Sequence, residues 1–421
     1  MQRVTRKTLG AGINLTCVTT PKFKRAVLRA MLVLPLGGED AALRACLPQV
    51  LRRGTARLND MQAFGTALDE LYGARIEAAV RKEGENLCIG FLSDCIDEAY
   101  APGADGLTAG VIGLLCDLLY NPYLQDGLFC AAYAEGERGN LIDRIAALKN
   151  DPRSWAPRRL NEIMCENEDY GKSALGTIEQ AERITSETLY AAYRRALSEA
   201  QVELFYCGTM MPDEVEARFM ATPLAQPREG TLYQPHTVVQ ARPVGDVREV
   251  VEDAEVTQGK LSLGFRTGGA SLTGGEPAAY WVFQTIYGGS TSAKLFLNVR
   301  EKKSLCYYAS AQFVASKGLI IVGSGIENRI SRSHAMKSCT SWICAARAKL
   351  RTQNSKAHAK RWSTAGAPCS TTRLHSSATG WDRRLQARSY RPRSASSRWP
   401  TSRASRSLPR HRAQRLTRYS L

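Results

Sequence analysis

The chain has 421 residues, enough for two domains with separate hydrophobic cores, and 44% of them are apolar, as in soluble globular proteins. Its net charge of +17 would suit a nucleic-acid-binding protein, but that charge is confined to one end of the chain. Residues 331–421 hold 21 Lys and Arg and one acid, Asp382, whereas residues 1–330 hold 36 basic and 39 acidic residues. The composition therefore gives no support to nucleic-acid binding by the body of the protein.

The twelve cysteines stand singly, without the C-x-x-C or C…H spacing of a zinc site. The N-terminus lacks the apolar core and cleavage site of a signal peptide, and the longest apolar runs, 26–37 and 107–120, are too short or too interrupted to span a bilayer. We therefore expect a cytoplasmic protein with reduced thiols and no membrane contact. His236 is the single histidine of residues 1–330, so no Ser-His-Asp or Cys-His set is expected there.

The hydrophobic period changes between strand and helix several times in residues 1–222. β-branched and aliphatic residues predict strands at 9–19, 25–36, 75–81, 86–92 and 202–206. Apolar stripes predict helices at 40–51, 60–72, 106–119, 127–149, 155–165 and 185–197. We predict an α+β unit, a sheet with helices packed on one face, with Asp40 and Thr185 or Ser186 as helix caps.

Residues 223–245 carry four prolines and little periodicity, the pattern of an interdomain linker. In residues 246–330 we predict strands at 248–255, 260–266, 305–314 and 319–326, and helices at 277–287 and 291–301. This order partly repeats the beginning of the first unit, which predicts two related α+β domains. Regular patterning stops near residue 330, so the second domain is expected to be incomplete and residues 331–421 to be disordered.

Several motifs together resemble the insulinase (pitrilysin-type) family of zinc metallopeptidases. Gly37-Gly38-Glu39 precedes a predicted helix that ends at Arg53-Gly54-Thr55, like the first active-site helix of that family. In the second unit the resemblance rests on Tyr287-Gly288-Gly289, Lys294-Leu295-Phe296, Asn298-Val299-Arg300-Glu301-Lys302 and Leu305-Cys306-Tyr307. It covers residues 1–330 and implies the two-domain fold of the family.

Active members carry H-x-x-E-H on this helix, where two imidazoles bind zinc and the glutamate takes a proton from the zinc-bound water. Alignment on Gly54-Thr55 puts Ala45 and Gln49 at the histidine positions and Pro48 at the glutamate position. None of the three can bind zinc or act as a base, and residues 1–235 contain no histidine at all. We therefore predict no catalytic residue, no metal and no other cofactor in this chain; zinc is expected only in an active partner.

Two carboxylates and an Arg–Tyr pair are the remaining candidates. Glu137 or Asp143, on a later predicted helix, is a candidate for a third metal ligand. We expect both instead to be solvated charges on the face of that helix. The resemblance implies that Arg300 and Tyr307, seven residues apart, contact a bound peptide or an interface. The alternative is an arginine that fixes a loop and a tyrosine in the core.

The stretches 47–55 and 300–308 also resemble a catalytically silent bacterial branch of the family, one associated with elongation factor P modification. That resemblance implies a cytoplasmic pseudoenzyme that forms a heterodimer with an active paralogue and supports peptide binding or processing. One alternative is an active zinc metalloendopeptidase with atypical ligands, which the scarcity of histidine disfavours. The other is nucleic-acid binding through the basic tail, which we do not expect.

The change of character near residue 330 suggests a shifted reading frame. With permissible codons, residues 354–362 read in another frame encode an amphipathic helix of the kind that the second domain lacks. We therefore interpret residues 331–421 as a frameshift product, with a genuine basic arm as the alternative. The four histidines of this segment then carry no metal-binding meaning.

Overall fold

The structure is a computed structural model that describes residues 3–103, 105–226, 228, 230–240, 248–254, 256–267, 283–302, 304, 306–326 and 418–420. The chain divides into two units. The first comprises residues 1–155 and 161–238, and the second comprises residues 156–160 and 239–421.

The strands described in the first unit form a six-stranded sheet and a small separate hairpin. They are β1 Arg3–Gly10, β2 Ile13–Thr19, β3 Arg25–Pro35, β4 Arg75–Glu83, β5 Asn86–Ile96, β6 Leu124–Gln125, β7 Leu128–Phe129 and β8 Gln201–Gly208. The order in the sheet is β1-β2-β8-β3-β5-β4, and β6 pairs with β7. Neighbours are antiparallel except β2 and β8, which are parallel. The sheet therefore has β1 and β4 as its two edges.

The helices between residues 41 and 220 are α1 Ala41–Leu51, α2 Met61–Glu70, α3 Leu107–Tyr120, α4 Ala131–Ala146, α5 Pro152–Met164, α6 Ile178–Glu182, α7 Ser186–Glu199 and α8 Pro212–Met220. Alternate residues of the strands form one hydrophobic core with α1, α3 and α7. This arrangement confirms the predicted α+β fold. None of the helices in the described ranges is long and apolar enough to cross a bilayer.

Local sequence signals explain most of the element ends. Thr185 caps α7 in a capping box with Thr188, and the Asp60 side chain accepts a hydrogen bond from the Ala63 amide at 2.7 Å at the start of α2. Asp40 precedes α1 as predicted but makes no side-chain cap. Its carboxylate instead forms an ion pair with Arg195 on α7, at 2.5 Å. A charge-assisted bond to a guanidinium is stronger than a bond to one amide, which explains the difference.

The single strand predicted at 9–19 is in fact two strands, β1 and β2. They are joined by a turn at Gly12, which has φ of +67°. Glycine adopts this left-handed conformation at little cost. The aliphatic pattern continues through the turn, so the sequence did not indicate that one strand ends and another begins there.

Part of the segment predicted as a linker packs against the first unit, which includes residues up to Val238. We refer to residues 228–238 as the strap. At its start, the Arg228 guanidinium donates to the carbonyls of Leu197 and Ala200 at the end of α7, the latter at 2.7 Å. These carbonyls have no partner within the helix, so the strap satisfies them.

Farther along, the strap is held by two buried residues next to the turn that joins β4 to β5. The Asn86 side chain accepts from the Tyr233 hydroxyl at 2.9 Å and donates to the His236 carbonyl at 2.7 Å. The Glu85 carboxylate accepts from the Thr237 hydroxyl at 2.7 Å. Proline-rich composition predicted an interdomain linker, and specific hydrogen bonds to buried polar groups fix residues 228–238 of it on the first unit.

The strands described in the second unit form one sheet with the order β11-β12-β10-β13-β9. They are β9 Arg248–Glu249, β10 Gly259–Arg266, β11 Cys306–Val314, β12 Leu319–Ile326 and β13 Arg418–Ser420. Its core includes Leu263, Phe265, Tyr287, Leu295 and Val322.

Two predicted features of the second unit differ in the structure. The helix predicted at 291–301 is largely a π-helical turn at Phe296–Glu301, while most of the one predicted at 277–287 lies outside the described residues. In the segment predicted to be disordered, residues 418–420 form β13, which pairs with β10 and β9. A strand edge offers unpaired backbone groups to a segment of almost any sequence, which explains this pairing. Residues 331–417 lie outside the described part.

We expect Asn86→Ala to release the strap, because the three hydrogen bonds between its side-chain amide and Tyr233 and His236 are lost. Hydrogen exchange followed by mass spectrometry should show faster exchange in residues 228–240, with about 1 to 3 kcal/mol less protection. Gln234→Ala is the control, because that side chain is exposed on the same segment. Equal exchange in the two variants would contradict the role of Asn86.

Candidate functional site

Helix α1 carries the three positions at which the family resemblance places the metal site. Eight of its eleven residues are buried, including Ala45 and Pro48, while Gln49 is half-buried. The helix continues through Pro48 to Leu51, and the Arg52 amide still bonds the Pro48 carbonyl at 3.2 Å. An interior proline costs about 3 kcal/mol. Burial of each large apolar side chain contributes about 1.5 to 3 kcal/mol, so the packing of α1 outweighs that cost.

These residues do not fit a zinc ion. Ala45 and Pro48 offer no donor atom, and a glutamine amide is a poor zinc ligand. Within the described ranges, no three His, Cys, Asp or Glu side chains come together in a group able to hold a metal. Burial, with a smaller effect from the charge of Glu137, raises the pKa of the Cys46 thiol to about 12. Burial therefore disfavours the Cys46 thiolate, the form that acts as a nucleophile. The absence of a cofactor stays a prediction.

Glu137 is not the solvated charge that the sequence predicted. It lies on α4, where it is 7% exposed, and the Arg53 guanidinium donates to its Oε1 from Nε at 2.7 Å. Asn140 donates to Oε2 at 3.1 Å. The spacing of Ala134, Glu137 and Leu141 puts this carboxylate on the buried face of α4, a signal that the sequence contained. Asp143 is exposed, as expected.

Gly54-Thr55 has a structural role at the end of α1. A Cβ atom on Gly54 would lie 2.7 Å from the Leu58 carbonyl oxygen, so a larger residue does not fit. Thr55 is fully buried, and its amide donates to the same carbonyl at 2.7 Å. The Tyr123 amide donates to the Gly54 carbonyl at 3.1 Å, which ties this loop to the segment after α3. The motif is therefore explained by packing alone.

The edge strand β4 runs beside the end of α1. Arg52 Nε donates to the Ile76 carbonyl of β4 at 2.8 Å. The β4–β5 turn has two residues, so Glu83 and Asn86 form its closing hydrogen-bonded pair. Starting from Glu83, every second residue of β4 bonds to β5. The residues between them, including Ala78, have an amide and a carbonyl that face away from β5. Among the described strands β4 pairs with β5 alone, so its outer edge has no strand partner there.

Tyr72 has a strained backbone next to this edge. Its φ is +58°, and its side chain is 55% exposed. For a residue with a Cβ atom, the left-handed region costs roughly 1 to 2 kcal/mol. Of the two other described non-glycine residues with positive φ, Asp126 lies in the β6–β7 turn, which requires it, and Ser304 lies in the second unit. No pattern in the sequence indicated the strain at Tyr72.

In the second unit the structure brings Arg300 and Tyr307 together. They line one open surface depression with Glu301, Ser304 and Cys306. The Arg300 guanidinium lies over the Phe296 ring at 4.7 Å. Tyr307 is 62% exposed, so the alternative of a core tyrosine is wrong. The role of the pair in peptide contact stays a prediction.

Comparison with known proteins agrees with this geometry. Residues 183–357 match the family model described as the peptidase M16 inactive domain. The chain is 33% identical over 322 residues to "Probable inactive metalloprotease YmfF" of Bacillus subtilis (strain 168), which covers 76% of this chain and 74% of that protein. The chain therefore belongs to the peptidase M16 family, to which the insulinase-type peptidases belong, and it is similar to an inactive member.

Solved structures show the same fold. A conserved protein from Enterococcus faecalis V583 is 25% identical with a TM-score of 0.73, over 90% of this chain and 87% of that one. The peptidase M16 inactive domain from Pseudomonas fluorescens is 17% identical with a TM-score of 0.70, over 91% of this chain and 87% of that one. The second likeness supports the fold alone.

We expect Arg53→Ala to lower the free energy of unfolding by about 1 to 3 kcal/mol, because the buried Glu137 carboxylate loses its counter-charge. The matched control is Arg138→Ala, on the same helix as Glu137. Arg138 pairs with Glu135, which is mostly exposed. Its loss should cost at most about 0.5 kcal/mol. Chemical denaturation of the three proteins measures the difference, and equal losses in both variants would contradict it.

Proposed function

We propose that the chain is a non-catalytic subunit that works beside an active M16 peptidase in the cytoplasm and binds an extended peptide. The single observation that carries this proposal is the open edge of β4 beside an α1 helix that keeps its packing but has no metal ligands. Hydrolysis then has to come from the partner, which supplies the zinc ion. This chain supplies a surface for the substrate.

The edge of β4 favours a peptide over a folded partner. An extended peptide adds to a sheet edge through main-chain hydrogen bonds, which require no particular sequence. The outward groups of Ala78 lie in the middle of the nine-residue strand, between Arg52 bound at Ile76 and Lys82, whose Nζ donates to the Tyr170 carbonyl at 2.8 Å. The outward amide and carbonyl of Ala78 lie between these two contacts, and a few residues of extended peptide are enough to bond them.

The thiols support a reducing compartment. The nine cysteines of the described part are not joined in disulfides, and eight of them are buried. Disulfides are rare in cytosolic proteins, because thioredoxin and glutathione keep thiols reduced. A cytoplasmic subunit of a peptidase complex fits these observations.

The proposal is tested by replacing one outward amide. Ala78→Pro removes an N–H that faces away from β5 and leaves the ladder between β4 and β5 intact. We expect it to weaken binding of a fluorescein-labelled ten-residue peptide about tenfold or more, measured by anisotropy on the full chain. Ala78→Thr, which keeps the amide, should bind like the parent protein. Unchanged binding by the proline variant would contradict a site on this edge.

The partner is tested by purifying the tagged full-length chain from its own cells. We expect a zinc-containing M16 peptidase to copurify at about one to one. Cleavage of a quenched fluorescent peptide should require that partner and rise when this chain is present. Cleavage by this chain alone would contradict the proposal.

We also propose that residues after about 330 arise from a shifted reading frame. The support for this proposal is the loss of regular sequence patterning near residue 330 and the excess of basic residues that follows. The family match continues to residue 357, so the codons for residues 320–360 are the ones to sequence. We expect an inserted or deleted base within them. An intact frame, confirmed by mass spectrometry of tail peptides, would show that the tail is genuine.

A further inference from the structure

We propose that the second unit holds a strand-acceptor site, the place between β9 and β10 that β13 fills in part. This site binds an extended segment of a second polypeptide, about eight residues long, with apolar side chains at alternate positions. It belongs to a different sheet from the peptide edge proposed at β4.

The six-stranded sheet of the first unit and the five-stranded sheet of the second share one topology over five strands. The order β2-β8-β3-β5-β4 corresponds, strand by strand, to the order β9-β13-β10-β12-β11. In both sheets the second strand of this series is parallel to the first and antiparallel to the third. The remaining neighbours are antiparallel in both. β13 therefore lies where β8 lies in the first unit.

Strand β8 shows what this position requires. It has eight residues, all of them buried, and its ladder with β3 covers residues 27–33. The side chains of Val202, Leu204 and Tyr206 belong to the core of the first unit. A strand between two others forms hydrogen bonds along both of its edges, and every second side chain points to the core. The position therefore takes a long strand with alternate apolar residues.

Strand β13 fills the corresponding position only in part. It has three residues, and its ladder with β10 covers residues 263–265, whereas the ladder between β12 and β10 covers residues 259–266. Its sequence, Arg418-Tyr419-Ser420, has none of the aliphatic residues of β8. A segment so different from β8 still takes the direction of β8, because strand addition depends on main-chain hydrogen bonds. A longer strand forms more of these bonds and replaces β13.

The neighbouring strand defines the chemistry of the segment that binds. Leu261, Leu263 and Phe265 alternate along β10 and are buried in the core of the second unit. A strand antiparallel to β10 places every second side chain on the same face of the sheet as these three. Regular patterning stops near residue 330, so a strand with the pattern of β8 has to come from another polypeptide. The first unit shows the same pairing of apolar residues between β8 and β3: Val202 with Leu32, Leu204 with Ala30, and Tyr206 with Leu28.

The test uses the full chain and a fluorescein-labelled peptide with the sequence of β8, residues 201–208, followed by anisotropy under reducing conditions. We expect this peptide to bind about tenfold or more tightly than the same peptide with Leu204→Pro, which lacks a central main-chain donor. Tyr419→Pro in the full chain should raise the affinity about threefold or more, because β13 no longer competes for the site. Ser407→Pro, in the tail but outside β13, is the matched control and should bind like the parent protein.

Photo-crosslinking checks where the peptide lies and in which direction it runs. A benzophenone on the first residue of the peptide should label the end of β10, at residues 264–266. One on the last residue should label its beginning, at residues 259–261, because the two strands are antiparallel. Labels in the reverse order would overturn the inference, as would equal binding of the two peptides or an unchanged affinity of Tyr419→Pro.

The variant Ala78→Pro separates this site from the β4 edge. We expect it to bind the β8 peptide like the parent protein, because the two sites lie in different sheets. Loss of binding in this variant, or crosslinks to β4, would place the peptide on the β4 edge. That result would overturn the strand-acceptor site and leave the proposed function standing.

Discussion

Burial of α1 is the constraint on which the first unit depends. The helix packs against α4, α6, α7 and the strands β4 and β5, and most of its side chains are shielded from water. This apolar burial does not depend on imidazoles at the positions of Ala45 and Gln49, so the fold does not require a metal. The same burial explains why an interior proline is tolerated and why the glycine-threonine turn after the helix remains tightly packed.

Two arginines that follow α1 bind two different neighbouring elements. Arg52 binds the edge strand β4, and its neighbour Arg53 binds Glu137 on α4. The helix therefore positions an open sheet edge on one side and neutralises a buried carboxylate on the other. In this arrangement the edge proposed to bind a peptide lies beside a helix that lacks the groups needed to activate water.

Much of this could be predicted from the sequence, because helix stripes, strand patterns and the capping residue Thr185 act locally. The inactive site was also predictable, since Ala45, Pro48 and Gln49 lack the necessary chemistry wherever they lie. The burial of Glu137 and the fixing of the strap could not be derived in this way. Both depend on partners distant in the sequence: Arg53 is 84 residues from Glu137, and Asn86 is 150 residues from His236. The strain at Tyr72 is a backbone property that composition does not reveal.

The most direct test of the central claim is the zinc content of the isolated full-length chain. The protein is saturated with zinc, dialysed into metal-free buffer and analysed by mass spectrometry of the element, with anomalous diffraction to locate any ion that remains. The account predicts no zinc ion bound by residues of α1 or α4. One tightly held zinc ion per chain at that helix, with peptidase activity that a chelator abolishes, would contradict it.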